Sequence, residues 1–350
     1  MYALWCIARQ GITWGGFLLH DSIVDCIGCT PMVHLSRLFP TGPQVYAKLE
    51  LLNPAGSVKD RTARYIIETG LREGVLYPGA HVVESTSGNF GVALSMMSRI
   101  YGLRLTLVVD PHITKSNYAI LKSYGAQVEM VEDPTTEGGY LPARIARVKE
   151  ILARDSAAVW INQYANALGP EAHYRGTAEE ISRDLRGPLD YLVVAVSTTG
   201  TLNGLARRLK ERDKRLEVIA VDAVGSVVFG NPPGPRRLPG IGSSRVPELL
   251  DRNLIDRVVE VTDDESITAC HEILDREAIF AGASSGSVIA AIKKILPEIP
   301  ASSSVVTLFP DRGDRYIDVV YGAEAPSSVM DSVATPAHGA APLIGARAGS

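Results

Sequence analysis

Tyr191-Leu192-Val193-Val194-Ala195-Val196-Ser197-Thr198-Thr199-Gly200-Thr201-Leu202-Asn203-Gly204 is the stretch whose reading decides the fold. Six apolar residues in a row suit a strand buried on both faces, which is the signature of a parallel sheet. The run of small hydroxylated residues and glycine that follows makes a tight turn, and a helix is predicted from Leu205 to about Glu211. The same alternation recurs on both sides. Residues 45–50, 81–84, 105–109, 127–131, 218–221 and 304–308 read as strands. Helices are predicted from near Val58, from Val92 to about Ile100, from about Lys115 to Tyr124 and from about Tyr140 to Ala153. Such an order implies an α/β protein with parallel sheets and right-handed crossovers. Two strand groups, parted by the helical stretch 140–153, imply two lobes.

In open α/β sheets, ligands bind beyond the carboxyl ends of strands, so the strand-to-helix turns carry the functional prediction. Three are unusual. In Asn53-Pro54-Ala55-Gly56-Ser57-Val58-Lys59-Asp60-Arg61, Ser57 and Asp60 have N-cap spacing, which puts Lys59 in the first helical turn. The positive end of the helix there disfavours its ammonium form and frees the amine for imine formation. Ser85-Thr86-Ser87-Gly88-Asn89-Phe90-Gly91 offers backbone N–H groups to an anion such as an amino-acid carboxylate. Ser197, Thr198, Thr199, Gly200 and Thr201 offer hydroxyls and N–H groups suited to a phosphate, in a pattern that is neither G-x-G-x-x-G nor a Walker A loop.

Composition narrows the classes. With 46% hydrophobic and 21% charged residues the chain reads as an ordinary globular protein. A net charge of -4 gives no electrostatic reason for nucleic acid or an anionic membrane as partner. Apolar runs fall short of the roughly 20 residues of a membrane helix. Cysteines 6, 26, 29 and 270 are too few for a disulfide framework, so a reducing, cytoplasmic setting is expected. The C-x-x-C at Cys26 and Cys29 lacks the second pair that a zinc ribbon needs and reads as a turn before a strand, with no metal expected. Residues 1–20 read as an extension without the marks of a secretory signal. Residues 323–350, rich in Ala, Ser, Pro and Gly, read as a disordered tail. Only that stretch follows the fold, so no appended regulatory domain is expected.

From about Asp21 to Tyr321 the sequence resembles the fold-type-II pyridoxal-phosphate enzymes (tryptophan synthase β-like), and within them the cysteine synthase and cystathionine β-synthase group. Ile27-Gly28-Cys29-Thr30-Pro31 is similar to that family's opening motif, with Cys29 where Asn is usual. The resemblance implies a Schiff base of the cofactor on Lys59. It implies a hydrogen bond from Asn89 to the cofactor's phenolic oxygen, and a phosphate site at Ser197–Thr201. It also implies Ser284, in Gly282-Ala283-Ser284-Ser285-Gly286, facing the pyridine nitrogen. Ser85, Thr86, Ser87, Gly88 and Asn89 become the substrate-carboxylate loop. A hydroxyl at the ring nitrogen favours loss of a β-substituent, giving β-elimination to an aminoacrylate and then addition of a nucleophile. Lys59 would remove and return the α-proton. The implied lobes are 21–50 with 165–322, binding the cofactor, and a smaller mobile lobe of 51–164. A homodimer is the family expectation.

Phe90 in the asparagine loop, the Thr-rich phosphate loop, Val221-Asp222-Ala223-Val224-Gly225-Ser226 and Pro310-Asp311-Arg312-Gly313-Asp314-Arg315-Tyr316 depart from ordinary cysteine synthases. They resemble the N-(2-amino-2-carboxyethyl)-L-glutamate synthase branch, which joins O-phospho-L-serine to L-glutamate on the way to 2,3-diaminopropionate for siderophores and peptide antibiotics. Ser197 and Tyr164 would then help bind glutamate, and Arg144 would meet a substrate anion, since two carboxylates call for hydroxyl and guanidinium donors. A packed aromatic at Tyr164 and a solvated helix face at Arg144 are equally good readings of those two residues. The alternatives for the whole chain are a cysteine synthase using O-acetylserine or O-phosphoserine with sulfide, a serine or threonine dehydratase, and a catalytically silent partner-binding paralogue.

Overall fold

The computed structural model describes residues 19–135 and 139–322. The predicted extension 1–20, save its last two residues, and the predicted tail 323–350 lie outside them.

Ten strands form two sheets. β1 (Met32–His34), β2 (Gln44–Lys48), β7 (Tyr191–Ala195), β8 (Glu217–Ala223), β9 (Arg257–Val261) and β10 (Ser304–Leu308) build one, in the order β1-β2-β10-β7-β8-β9. Only the β1–β2 pair is antiparallel there. β3 (His81–Ser85), β4 (Arg104–Val109), β5 (Gln127–Met130) and β6 (Val159–Trp160) build the other, wholly parallel, in the order β5-β4-β3-β6.

The apolar runs are explained by cover on both faces. In the larger sheet Val193, Ile219, Val221 and Val305 pack into one core, and their neighbours Leu192, Val194, Val218, Ala220, Val306 and Leu308 pack into another on the opposite face. In the smaller sheet Val82, Leu105, Leu107 and Val109 face one core, while Val83 and Val108 face Val148 and Ile151. Period-two alternation with apolar residues on both sides is what a doubly covered parallel sheet requires.

The helices that matter for the site are α1 (Lys59–Arg72), α2 (Asn89–Tyr101), α3 (Lys115–Ser123), α4 (Tyr140–Arg154), α5 (Leu168–Ala172), α6 (Ala178–Asp184), α7 (Gly200–Arg212), α8 (Asp263–Glu277) and α9 (Ala283–Ile295). α4 does not part the two strand groups as predicted. It packs on β3, and β6 after it adds a further strand to the same sheet. α2 and α7 begin earlier than predicted, at Asn89 and Gly200. Gly, Thr, Ser and Asn are poor helix formers and hid the first turns, which here are fixed by the turn rather than by propensity.

Among the described residues no helix is long and apolar enough to cross a membrane. Cys26 closes a 3-10 turn (Ile23–Cys26), and Cys29 follows it with φ +48° ahead of β1. No group of three His, Cys, Asp or Glu side chains among the described residues gathers as a metal site.

Candidate active site

Each of the three unusual turns opens at the carboxyl end of a strand or on the helix beside one, and they converge on one cavity of about 240 Å³. Lys59, Ser85, Thr86, Ser87, Gly88, Asn89, Arg144, Tyr164, Ser197, Thr198, Thr199, Thr201 and Ser284 all line it. Gly200 lines a smaller cavity beside it, together with Lys59, Thr198 and Thr201. Every sequence-derived site residue is therefore at one place.

Lys59 is the first residue of α1. The helix caps at Val58 rather than at Ser57. Ser57 Oγ accepts from the Lys59 N–H at 3.2 Å and donates to Asp60 Oδ1 at 3.4 Å, while Asp60 Oδ2 accepts from the Ala55 N–H at 2.6 Å. The Lys59 amine lies 3.5 Å from Thr198 Oγ1, on the turn that follows β7. Burial pulls the Lys59 amine down to about 8, with the Asp311 carboxylate opposing. Desolvation thus lowers the Lys59 amine and favours its neutral form.

The turn from Ser197 to Thr201 carries a strained residue. Thr199 caps α7 with φ +64°, a conformation that a β-branched side chain adopts only at a cost of about 1–3 kcal/mol. Its hydroxyl is buried and has no partner among the described residues. Thr201 Oγ1 and Thr62 Oγ1 each lie 3.2 Å from His173 Nε2, and Thr177 Oγ1 lies 3.0 Å from His173 Nδ1. Burial keeps His173 neutral at physiological pH. An orphaned hydroxyl, a helix start and strain held at one turn fit a phosphate-bearing cofactor. Ser284, in the first turn of α9, is 3% exposed and lines the same cavity.

Glu84 anchors the turn that follows β3. It is buried, and its two oxygens accept from the Ser85 N–H at 2.7 Å and the Gln163 N–H at 3.2 Å. It thereby ties that turn to the segment bearing Tyr164. Burial raises its carboxyl to about 7. A folded-state value above the unfolded one means the protonated form stabilises the fold. That contribution is complete below about pH 4.5 and is lost as pH rises through 7. The melting temperature of Glu84→Gln is expected to lose this component of its pH dependence between those values, as scanning calorimetry at stepped pH would show.

Arg144 on α4 is 12% exposed, not a solvated face, and pairs with Asp110 Oδ2 at 3.3 Å. Tyr164 is half-buried on the cavity wall, with the Arg245 guanidinium 5.1 Å from its ring centre. Burial raises its phenol, while Arg144, Arg245 and Arg236 pull it the other way.

Asp311, Gln163, Pro239, Gly240 and Phe90 also line the cavity. Sequence reasoning missed Asp311 as a site residue, although its segment stood out as unusual. The signal available was a lone acid just past the last buried strand, on the sheet edge where ligands bind. His173 carried no signal, because nothing local distinguishes it.

The chain matches the family model described as "Pyridoxal-phosphate dependent enzyme" over residues 23–311. Solved structures similar to it include an O-acetylserine dependent cystathionine beta-synthase from Helicobacter pylori, at 32% identity and a TM-score of 0.80, with 87% of this chain and 100% of that one covered. An O-ureido-L-serine synthase matches at 30% identity and a TM-score of 0.81, covering 90% and 100%. A hydrogen sulfide-producing enzyme from Fusobacterium nucleatum matches at 29% identity and 0.80, covering 85% and 100%.

Proposed function

We propose that this chain, which belongs to the pyridoxal-phosphate dependent enzyme family, replaces the phosphate of O-phospho-L-serine with the amine of L-glutamate, giving N-(2-amino-2-carboxyethyl)-L-glutamate and phosphate. Lys59 would hold the cofactor, Ser197 to Thr201 its phosphate, and Asn89 and Ser284 its ring. When bound, pyridoxal phosphate withdraws electrons from the α-carbon of an amino-acid substrate, so that a β-substituent can depart. Ser85, Thr86, Ser87 and Gly88 orient the substrate carboxylate at the start of α2, which holds the α-proton within reach of Lys59. The buried Lys59 Nζ takes that proton in its neutral form and later returns it to the same carbon. Ser284 places a neutral hydroxyl rather than a carboxylate on its wall of the cavity.

What supports glutamate is the anion-binding capacity of the cavity beyond the carboxylate loop. A guanidinium, Arg144, and a phenol, Tyr164, line the same cavity, with Arg245 against the phenol ring. Sulfide has no carboxylates and would leave these donors idle. The similarity to a cystathionine beta-synthase and an O-ureido-L-serine synthase supports β-replacement as the reaction class. The same reading places the product in 2,3-diaminopropionate supply for siderophores or peptide antibiotics, in the cytoplasm and in a homodimer.

Mass spectrometry of the products from O-phospho-L-serine with L-glutamate, alongside phosphate release, tests it. Glutamate-dependent phosphate release with a product joining the two carbon skeletons is the expected result. Pyruvate alone would make the chain a dehydratase. Turnover only with sulfide would make it a cysteine synthase. Arg144→Ala and Tyr164→Phe are each expected to raise the apparent Michaelis constant of one substrate about tenfold, the worth of one charge-assisted contact. Steady-state kinetics varied in both substrates show which. Unchanged constants for both substrates in both variants would remove these residues from the site.

A further inference from the structure

Asn89 is held at both ends of its amide by residues just past β10. Its Nδ2 donates to Asp311 Oδ2 at 2.6 Å, and its Oδ1 accepts from Arg315 Nη1. The two partners are themselves fixed. Tyr316 O–H donates to the same Asp311 oxygen at 2.6 Å, and Arg315 Nη2 donates to the Ala55 carbonyl. Asp311 is 1% exposed, and its second oxygen lies against Gly282, where an added Cβ would come within 2.0 Å of it. The carboxylate therefore has little room to turn.

This arrangement removes the usual ambiguity of a carboxamide. A guanidinium only donates, so the oxygen of Asn89 must face Arg315, and the nitrogen then faces Asp311. Asn89 Nδ2 carries two N–H groups, of which Asp311 takes one. The other is left for a ligand in the cavity that Asn89 lines. The clamp also spans the molecule: Asn89 opens a helix that follows the smaller sheet, whereas residues 311–316 leave the last strand of the larger one.

We propose that Asp311 and Arg315 are positioning residues that act through Asn89, fixing its amide so that the remaining N–H serves the cofactor's phenolic oxygen. The inference rests on the reading of Asn89 as a cofactor-holding residue. Neither Asp311 nor Arg315 needs to touch the cofactor for this. Their loss would let the amide rotate or flip, and the oxygen of Asn89 would then repel the phenolic oxygen it should hold.

The test uses the full chain, titrated with pyridoxal phosphate after removal of bound cofactor, with affinity and the position of the visible absorption band as readouts. Asp311→Ala and Arg315→Ala are each expected to weaken binding about tenfold, in keeping with one charge-assisted hydrogen bond, and to displace the band as Asn89→Ala does. In the Asn89→Ala background, adding Asp311→Ala is expected to change affinity less than about twofold, because a residue acting through another has nothing left to act on. A full additional loss in that background would overturn the proposal. So would Asp311→Ala and Arg315→Ala proteins that match the parent in both readouts while Asn89→Ala does not. If Asn89→Ala itself changed neither readout, the assigned role of Asn89 would fall and this inference with it. If Asp311→Ala does not fold, Arg315→Ala in the two backgrounds carries the same cycle.

Discussion

Lys59→Ala is expected to lower turnover at least about a thousandfold, since under the proposed function it removes both the attachment point of the cofactor and the group that moves the α-proton. The protein should fold, because the hydrogen-bond partner of the lost amine among the described residues is the neutral Thr198 hydroxyl. A melting curve close to that of the parent, with turnover gone, is the expected pair of results. Turnover within tenfold of the parent would move the attachment elsewhere. The pH dependence of cofactor capture by the parent is a sharper check. With the amine at about 8, the neutral fraction grows roughly tenfold per pH unit below that value and saturates above it. Stopped-flow absorbance with pyridoxal phosphate should therefore show a rate that rises to about pH 8 and then flattens. An unburied lysine would keep rising toward 10.

The second large effect concerns stability. Two residues beyond Lys59 on the same helix, Arg61 sits in a buried cluster. Its guanidinium donates to Glu50 Oε2 at 2.6 Å and Oε1 at 2.8 Å, to Glu180 Oε1 at 2.7 Å and Oε2 at 2.8 Å, and to Thr30 Oγ1 at 3.2 Å. Lys48 completes the cluster, 3.0 Å from Glu180 Oε2. Arg61→Ala would leave Glu50 with only the neutral donors Thr30 and Asn53 among the described residues, and Glu180 with Lys48 and the Cys29 N–H. A loss of about 3–5 kcal/mol is the general cost of breaking such a pair, readable as a lowered midpoint in urea. Arg61→Lys keeps the charge but not the forked geometry and is expected to recover only part of it. The cluster also sets an acid limit. Arg61 first among its favourable partners, and Lys48 with it, hold Glu180 at about 2 despite its burial. A depressed carboxyl stabilises the fold above its unfolded value, and that contribution disappears as pH falls from about 4.5 toward 2. Glu180→Gln should flatten this part of an acid-denaturation profile.

Much of the fold was legible because buried parallel strands write themselves as apolar runs. Val193 and Leu192 face different cores, yet both must be apolar, and no other common element demands that over five residues. β9, α8 and α9 were not read as elements, although Thr262 and Glu265 do form a capping box that the sequence displays. β6 was too short to register, with only Val159 and Trp160 in register with β3. For the site, the residues of each turn could be located because local chemistry marks a helix start. What joins the turns could not. His173 touches Thr62 and Thr201, and Asp311 touches Asn89, across separations in the chain that no local pattern encodes. The part that burial plays in the Lys59 shift was hidden for the same reason, since burial is a property of the packed molecule and not of the turn.

The order of the strands bears on how the chain is made. The smaller sheet draws all its strands from residues 81–160, so its pairings close over modest stretches of chain soon after they leave the ribosome. The larger one cannot. β2, near the beginning, has β10, near the end, as its neighbour, with Gln44 opposite Ser304. Until the last strand is synthesised, Val45 and Ala47 lack the partner against which they are packed, and an apolar edge stays open for most of translation. The residues that clamp Asn89 follow that same strand. A nascent chain therefore acquires its finished sheet and its finished site in one late event, and a message truncated before residue 304 would yield neither.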